Sequence, residues 1–358
     1  MPTEVSPTTA STASSKPIDD RLPQPPSSTA RQSAPSDHRS SAGAFVSTTA
    51  LFLWLAYLVI VVALPQADLL RKESTTPVTV LAGTWLIALI AWTLTARVRP
   101  ACPAARSLAH FLPWINAAGA WFIVWQLTTS KLGLLTPPYF AAPEVLIASF
   151  LGDWRLLLSC LGASALLFII GYTAGSVLGF FTGLLMGWSR RADYWFHPLL
   201  QTIGPVPAAS LLPLALLLIP TTYASAAFIV GFGAWFPMAT MTRAGVRSVR
   251  RDYIDMARTL GADELFLIRR VAVPSALPDM LTGLFTGLGT SLAALMTAEL
   301  TGVDKGLAWY INWVKGWADY PRMYVGLIIL VTFCRTLMVL LFKIRSSLLA
   351  WQQNLVRW

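Results

Sequence analysis

Residues 156–188 read LLLSCLGASALLFIIGYTAGSVLGFFTGLLMGW, a stretch of 33 residues without a charged side chain. A helix crosses a bilayer with about 20 apolar residues, and a core helix of a soluble domain keeps one polar face. The stretch therefore decides the fold class, an all-α integral membrane protein. It stops at Ser189-Arg190-Arg191. Similar runs flank it at 44–64, 78–96 and 112–130, then at 196–219, 224–241, 281–300 and 323–342. Eight spans are expected, arranged as two plus six. The run 196–219 carries Pro198, Pro205, Pro207 and Pro213, which predicts a broken or kinked helix; membranes tolerate one where neighbours or a cavity satisfy the freed backbone groups.

Composition agrees. The chain has 358 residues, 55% of them apolar and 12% charged, where a soluble domain carries roughly 25% charged residues. Mean hydropathy is +0.59. The net charge of +10 does not mark a nucleic-acid binder, because Lys and Arg sit in short clusters between apolar runs. Cys102, Cys160 and Cys334 lie far apart, which indicates neither a disulfide framework nor a metal site. Residues 1–43 are rich in Ser, Thr, Pro and Ala and read as a disordered tail, more simply an inert extension than an interaction segment. The start offers no basic and apolar leader, so the first apolar run is expected to stay as a span.

Basic residues orient the chain. Arg243, Arg247, Arg250, Arg251, Arg258, Arg269 and Arg270 crowd one loop, which is expected to be cytoplasmic. Counting outward places both termini on that side, with 346–358 as a cytoplasmic tail. Arg71-Lys72 alone runs against the pattern.

The same loop carries the sharpest motif: Asp255-Met256-Ala257-Arg258-Thr259-Leu260-Gly261, then Val271-Ala272-Val273-Pro274. A helix over 249–260 would put Tyr253, Met256, Ala257 and Leu260 on one face. Gly261 permits a turn at positive φ. A second helix over 263–270, carrying Phe266, would end at Pro274 before the next span. Helix, glycine and helix make a knob that a partner's groove can grip; the competing reading is an amphipathic loop on the lipid surface.

The motif resembles the cytoplasmic signature of ABC importer permeases: an acidic-Ala-Ala triplet, a Gly four residues on, and an aliphatic-x-aliphatic-Pro thirteen residues after it. Ala257, Gly261, Val271, Val273 and Pro274 fall in register, while Asp255 and Met256 replace Glu and Ala. Residues 134–143 (LLTPPYFAAP), 183–191 (GLLMGWSRR), 197–213 (HPLLQTIGPVPAASLLP), 245–249 (GVRSV), 274–283 (PSALPDMLTG) and Ala298-Glu299 with Gly302 and Gly306 are similar to the nitrate/sulfonate/taurine/bicarbonate-type subfamily. The resemblance covers about 112–345. It implies a type I ABC importer transmembrane domain of MetI-like architecture, with six core helices, and leaves the two extra helices of 44–97 without a family counterpart. It further implies a bacterial inner-membrane location, two ATP-binding cassette subunits, a second permease copy, a periplasmic solute-binding protein, and a small solute as cargo: the subfamily handles small anions such as a sulfonate, taurine or nitrate, the reading preferred here, and also neutral and heterocyclic compounds.

Other features stand without the family. Gly171, Gly175, Gly179, Gly183 and Gly187 recur every four residues, a stripe that lets another helix approach closely. Packing within the subunit is the simpler reading, a dimer seam the alternative. Glu299 ends one span near the outer face, where it is expected to accept hydrogen bonds from the turn that follows and so position a gate. Arg335 sits eight residues before Lys343, about 12 Å into the last span, and is expected to face protein or a water-filled cavity. Trp309, Trp313 and Trp317 share a helical face, as an interfacial belt or a gate.

Three function classes compete. No nucleotide-binding loop occurs in the sequence, so a permease needs a separate ATPase. A secondary transporter should carry buried acids and internal repeats, and the spans hold almost no acids. A membrane-embedded enzyme needs clustered ligands or a nucleophile with its base, and His38, His110 and His197 all lie in the tail or loops. The permease is expected, with no catalytic residue, cofactor or metal and with lipid as its surroundings.

Overall fold

A computed structural model describes residues 37–66, 74–98 and 103–349. Every regular element among them is helical. The helices are α1 (Asp37–Ala63), α2 (Thr76–Val98), α3 (Pro103–Gln126), α4 (Pro143–Trp188), α5 (Arg190–Ile203), α6 (Leu212–Leu218), α7 (Thr222–Arg247), α8 (Arg251–Thr259), α9 (Glu264–Leu267), α10 (Val273–Thr301), α11 (Leu307–Gly316) and α12 (Tyr320–Leu348). Among the described residues five helices are long and apolar enough to cross a membrane alone, and Ser47–Ala63 is a shorter apolar helix. A sixth crossing would be the pair Arg190–Ile203 and Ala208–Leu218, bent by 91°. The bend falls at Gly204-Pro205-Val206-Pro207, where two prolines remove backbone donors in three residues.

The centre is a sandwich of α4, α7 and α10. Gly171, Gly175, Gly179, Gly183 and Gly187 face α7: a Cβ on Gly183 would stand 2.5 Å from the Ala239 carbonyl oxygen, and one on Gly171 2.8 Å from that of Ala227. On the other side of α7, Gly233 meets the Ser291 backbone of α10. The Ser291 hydroxyl donates to the Val230 carbonyl at 2.9 Å, and Thr290 donates to that of Gly233 at 2.6 Å. The stripe is thus used up inside the protomer. Around the seam Leu167, Ile229, Val230, Leu288 and Leu295 form the main apolar core.

Three boundaries differ from the sequence reading. The first helix begins at Asp37, so 37–43 are helical; the expected disorder of 1–36 lies outside the described residues, as does the end of the tail after 349. Helix α4 starts at Pro143, thirteen residues before the apolar run, because Pro143 and Glu144 suit a first helical turn. Pro274 does not end a helix. A π-turn at Ile268–Ala272, closed by Val273 N–H on the Ile268 carbonyl, shifts the ladder so that Pro274 falls in the first turn of α10. Glu264–Thr301 is therefore one helix of 38 residues.

Helices α1 and α2 are fastened to α3. Trp54, Tyr57 and Val61 of α1 and Val78, Ala82 and Leu86 of α2 pack against Ile115, Ala118 and Phe122. The Trp54 indole donates to the Ile115 carbonyl at 3.3 Å, and Asn116 Nδ2 to Thr49 Oγ1 at 2.9 Å. Lys131 Nζ caps the end of α1 through the Val61 and Leu64 carbonyls at 2.9 and 2.6 Å.

Candidate functional site

At the basic end of the bundle, α8 stops in a pattern that the sequence explains. Gly261 adopts φ +85°, the Ala262 N–H returns to the Ala257 carbonyl at 3.1 Å and the Gly261 N–H to that of Arg258 at 2.9 Å. This is the paired closure of a Schellman motif, which wants glycine at the left-handed position. Asp263 then caps α9, its carboxylate accepting the Phe266 N–H at 3.0 Å. Glu264 fastens the turn, taking the Trp188 indole N–H at 3.1 Å and Arg258 at 2.8 Å. Helix α9 continues through the π-turn into α10, so displacement of the turn is carried into a membrane span.

Burial is inverted here. Tyr253, Met256, Leu260, Leu265 and Phe266 are all exposed, Leu260 at 82%. Exposed apolar patches of this kind mark contacts with protein or with membrane. Ala257, Leu260, Gly261, Asp263 and Phe266 line a cavity of about 360 Å³ on it. Met256 sits on the same knob, while Asp255 faces a second cleft of about 710 Å³ with Arg190, Arg247, Arg251 and Arg258. Val271 lies in the π-turn and Pro274 beyond it, outside the exposed face. Behind the knob, Asp193 bridges Arg243 and Arg247 at 2.5 and 2.6 Å and ties α5 to α7.

A buried clasp lies at the opposite end of α10. Glu299 is 1% exposed. One carboxylate oxygen accepts the Ser164 hydroxyl of α4 at 2.5 Å, the other the Ala308 N–H at 2.8 Å, and Ser164 Oγ accepts the Leu307 N–H at 2.8 Å. The carboxylate thereby caps the start of α11 and pins it to α4 and α10. A Cβ on Gly306 would fall on the Glu299 carboxyl group, so the close approach requires glycine there. Trp309 and Trp313 stack at 5.9 Å, and the Tyr310 hydroxyl donates to Asp153 at 2.8 Å. Burial, helped by the Asp153 carboxylate, pushes the Tyr310 phenol above its ordinary pKa. Trp313 remains 41% exposed and is not part of the clasp.

Arg335 does not face protein within the protomer. It lies on the exposed side of α12 with no hydrogen-bond or ion-pair partner among the described residues. Several buried polar residues escaped the sequence reading, Ser164 and Glu144 among them. Ser164 is one of several serines in an apolar run. Glu144 is 1% exposed, with Gln126 Nε2 at 3.1 Å, Gln66 Nε2 at 3.3 Å and the Ser130 hydroxyl as donors. A carboxylate beside Pro at a helix start was the available signal for Glu144.

The family model described as binding-protein-dependent transport system inner membrane component matches residues 175–350. A putative aliphatic sulfonates transport permease protein of Escherichia coli (strain K12) is 30% identical over 182 residues, 49% of this chain and 67% of that one. The chain belongs to this permease family. The formylaminopyrimidine transport permease protein of Halalkalibacterium halodurans is 27% identical over 157 residues, 43% of this chain and 62% of that one. The bicarbonate transport system permease protein of Synechococcus elongatus is 29% identical over 107 residues, 30% and 38% of the two. A solved amino acid ABC transporter, 18% identical, superposes with a TM-score of 0.45 over 58% of this chain and 97% of that one. Family and helices together make this permease a multi-pass inner-membrane protein with the MetI-like domain.

Proposed function

We propose that this permease is the membrane subunit of an ATP-driven importer, in which two copies enclose the pathway and each docks on one ATPase subunit. The knob carries the reading: five large apolar side chains held in solvent by a Schellman turn, rigidly continuous with α10. Docking of that surface into an ATPase groove buries it, and closure of the ATPases moves α10 with it. The basic loop supports a cytoplasmic knob, with both termini on the same side. A solute-binding protein delivers cargo to the outer end, where the Glu299 clasp holds α11. The cargo is a small anion; the sulfonate and bicarbonate permeases among the relatives support that class.

The test is substitution at Gly261. A β-branched residue at positive φ costs about 1–3 kcal/mol of local strain and distorts the knob without touching a span, since no other atom lies within 4 Å of a Cβ there. Gly261→Val is expected to insert normally, to lose the ATPase subunit that co-purifies with the wild-type chain, and to lose uptake. Gly261→Asn, which tolerates the left-handed region, should keep both. Co-purification of the ATPase with Gly261→Val together with normal uptake overturns the reading.

A further inference from the structure

Helix α8 buries none of its residues. Between it and the ends of α4 and α7 lies the cleft of about 710 Å³ that Asp255 faces. Gly187 and Val246, each one residue from the end of its span, line the cleft, so it opens beyond the spans at the basic end of the bundle. Clefts of about 300–1,000 Å³ enclose whole small ligands.

Charge decides which ligand fits. Arg190, Arg247, Arg251 and Arg258 line the cleft against Asp255 and Glu264, an excess of two positive charges. Some of these groups are committed: Arg258 pairs with Glu264 at 2.8 Å, and Arg247 shares Asp193 with Arg243. The side chains of Arg190, Arg251 and Asp255 have no hydrogen-bond or ion-pair partner among the described residues. Arg190 opens α5, while Arg251 and Asp255 stand one turn apart on α8. Two uncommitted guanidiniums from separate elements offer forked donors to one oxyanion. An ionised carboxylate only accepts, so Asp255 requires a donor on the same ligand. A hydroxyl supplies that donor without reducing the negative charge that the arginines call for, whereas an ammonium would cancel half of it. Trp188 and Ile254 add apolar wall, and the Trp188 indole N–H is already spent on Glu264, which leaves its ring for contact.

We propose that this cleft binds a phosphomonoester dianion of nucleotide size that carries free hydroxyls. The phosphate lies between Arg190 and Arg251, a hydroxyl donates to Asp255, and the ring rests beside Trp188. A ligand held this way ties α8 to the ends of α4 and α5 and steadies the docking helix. The site goes beyond the import reading above, since it involves neither cargo nor pathway. A membrane phosphodiester carries a single negative charge and matches the excess only by half.

The test is isothermal titration of the full chain in phosphatidylcholine nanodiscs with adenosine 5′-monophosphate at low ionic strength. Saturable binding is expected, weakening as salt is raised. Arg190→Gln combined with Arg251→Gln should weaken it at least tenfold, in line with loss of charged hydrogen bonds. Arg269→Gln combined with Arg270→Gln removes as much charge from the same loop outside the cleft and should leave affinity unchanged. Cyclic 3′,5′-adenosine monophosphate, a phosphodiester with the same base, should bind more weakly. The 2′,3′-dideoxy analogue should bind the wild type more weakly than the parent, and Asp255→Ala should bind the two alike. Absence of saturable binding, equal losses in the two monodisperse arginine pairs, or equal affinity for the cyclic diester overturns the proposal. So does a preference for the parent over the dideoxy analogue that survives in Asp255→Ala. Competition by dihexanoyl phosphatidylglycerol as strong as by the nucleotide assigns the cleft to lipid headgroups and overturns it too. Binding is read on the permease without ATPase or transport, so failure of the docking reading would appear only in the Gly261 variants.

Discussion

At Glu299 the chemistry of a single carboxylate organises the outer end of the core. It accepts a hydroxyl from α4 and a backbone N–H from α11, and both donors lose that acceptor if the side chain is cut back. A buried donor without a partner costs about 1–3 kcal/mol, so Glu299→Ala is expected to release α11 and to abolish or uncouple uptake. Glu299→Gln keeps one acceptor and should lose transport only modestly, with cargo preference unchanged. Uptake rates and selectivity for both variants decide the matter: a selectivity shift confined to Gln would make Glu299 a cargo contact, and two wild-type rates would leave it without a role. This part of the site was legible because a carboxylate ending an apolar run must find donors. Its partner Ser164 was not, since nothing local marks which serine 135 residues away supplies the hydroxyl. Arg335 was legible as an anomaly, but its exposed side depends on which face of α12 the neighbours leave open.

Between helices, the glycine seam sets how closely α4 and α7 approach. A Cβ at Gly175 would overlap the Gly231 carbonyl, and one at Gly187 would stand 2.6 Å from Val246 Cβ. Gly175→Val must push the helices apart, at about 1–3 kcal/mol of overpacking. Thermal melting of the solubilised protein should fall for Gly175→Val and hold or rise for Gly162→Ala on the same helix, where a Cβ meets nothing within 4 Å and alanine favours the helix. Equal melting for the two would remove the seam from the account. The four-residue repeat was visible in the sequence; its partner was not, because α7 carries only scattered small residues. The Pro274 boundary misled for a related reason. Proline forbids an ordinary helical bond, yet a π-turn just before it restores the ladder, and no residue type announces that turn.

Across the whole molecule, the six-helix core follows from apolar runs and breakers, because membrane insertion leaves backbone groups few alternatives to helix. How the first two helices attach does not follow, since lipid and protein are equally apolar neighbours. The sequence suggests that residues 1–97 are dispensable for the transport cycle and serve assembly or regulation. The contacts sharpen that into a stability effect. Removing α1 and α2 takes away both acceptors of Lys131 and the Gln66 donor to Glu144, and bares Ile115, Ala118 and Phe122 to lipid. Lipid solvates the apolar face well. The polar losses fall where α3 ends and α4 begins, and Gln126 and Ser130 still hold Glu144. A chain starting at residue 98 is therefore expected to insert, bind the ATPase and transport, while melting lower by about 2–4 °C for each kcal/mol lost. Lys131→Met in the full chain should reproduce part of that drop. Melting of the purified complexes together with uptake per assembled complex checks both statements. Normal assembly of the truncated chain without uptake would make α1 and α2 part of the pathway itself.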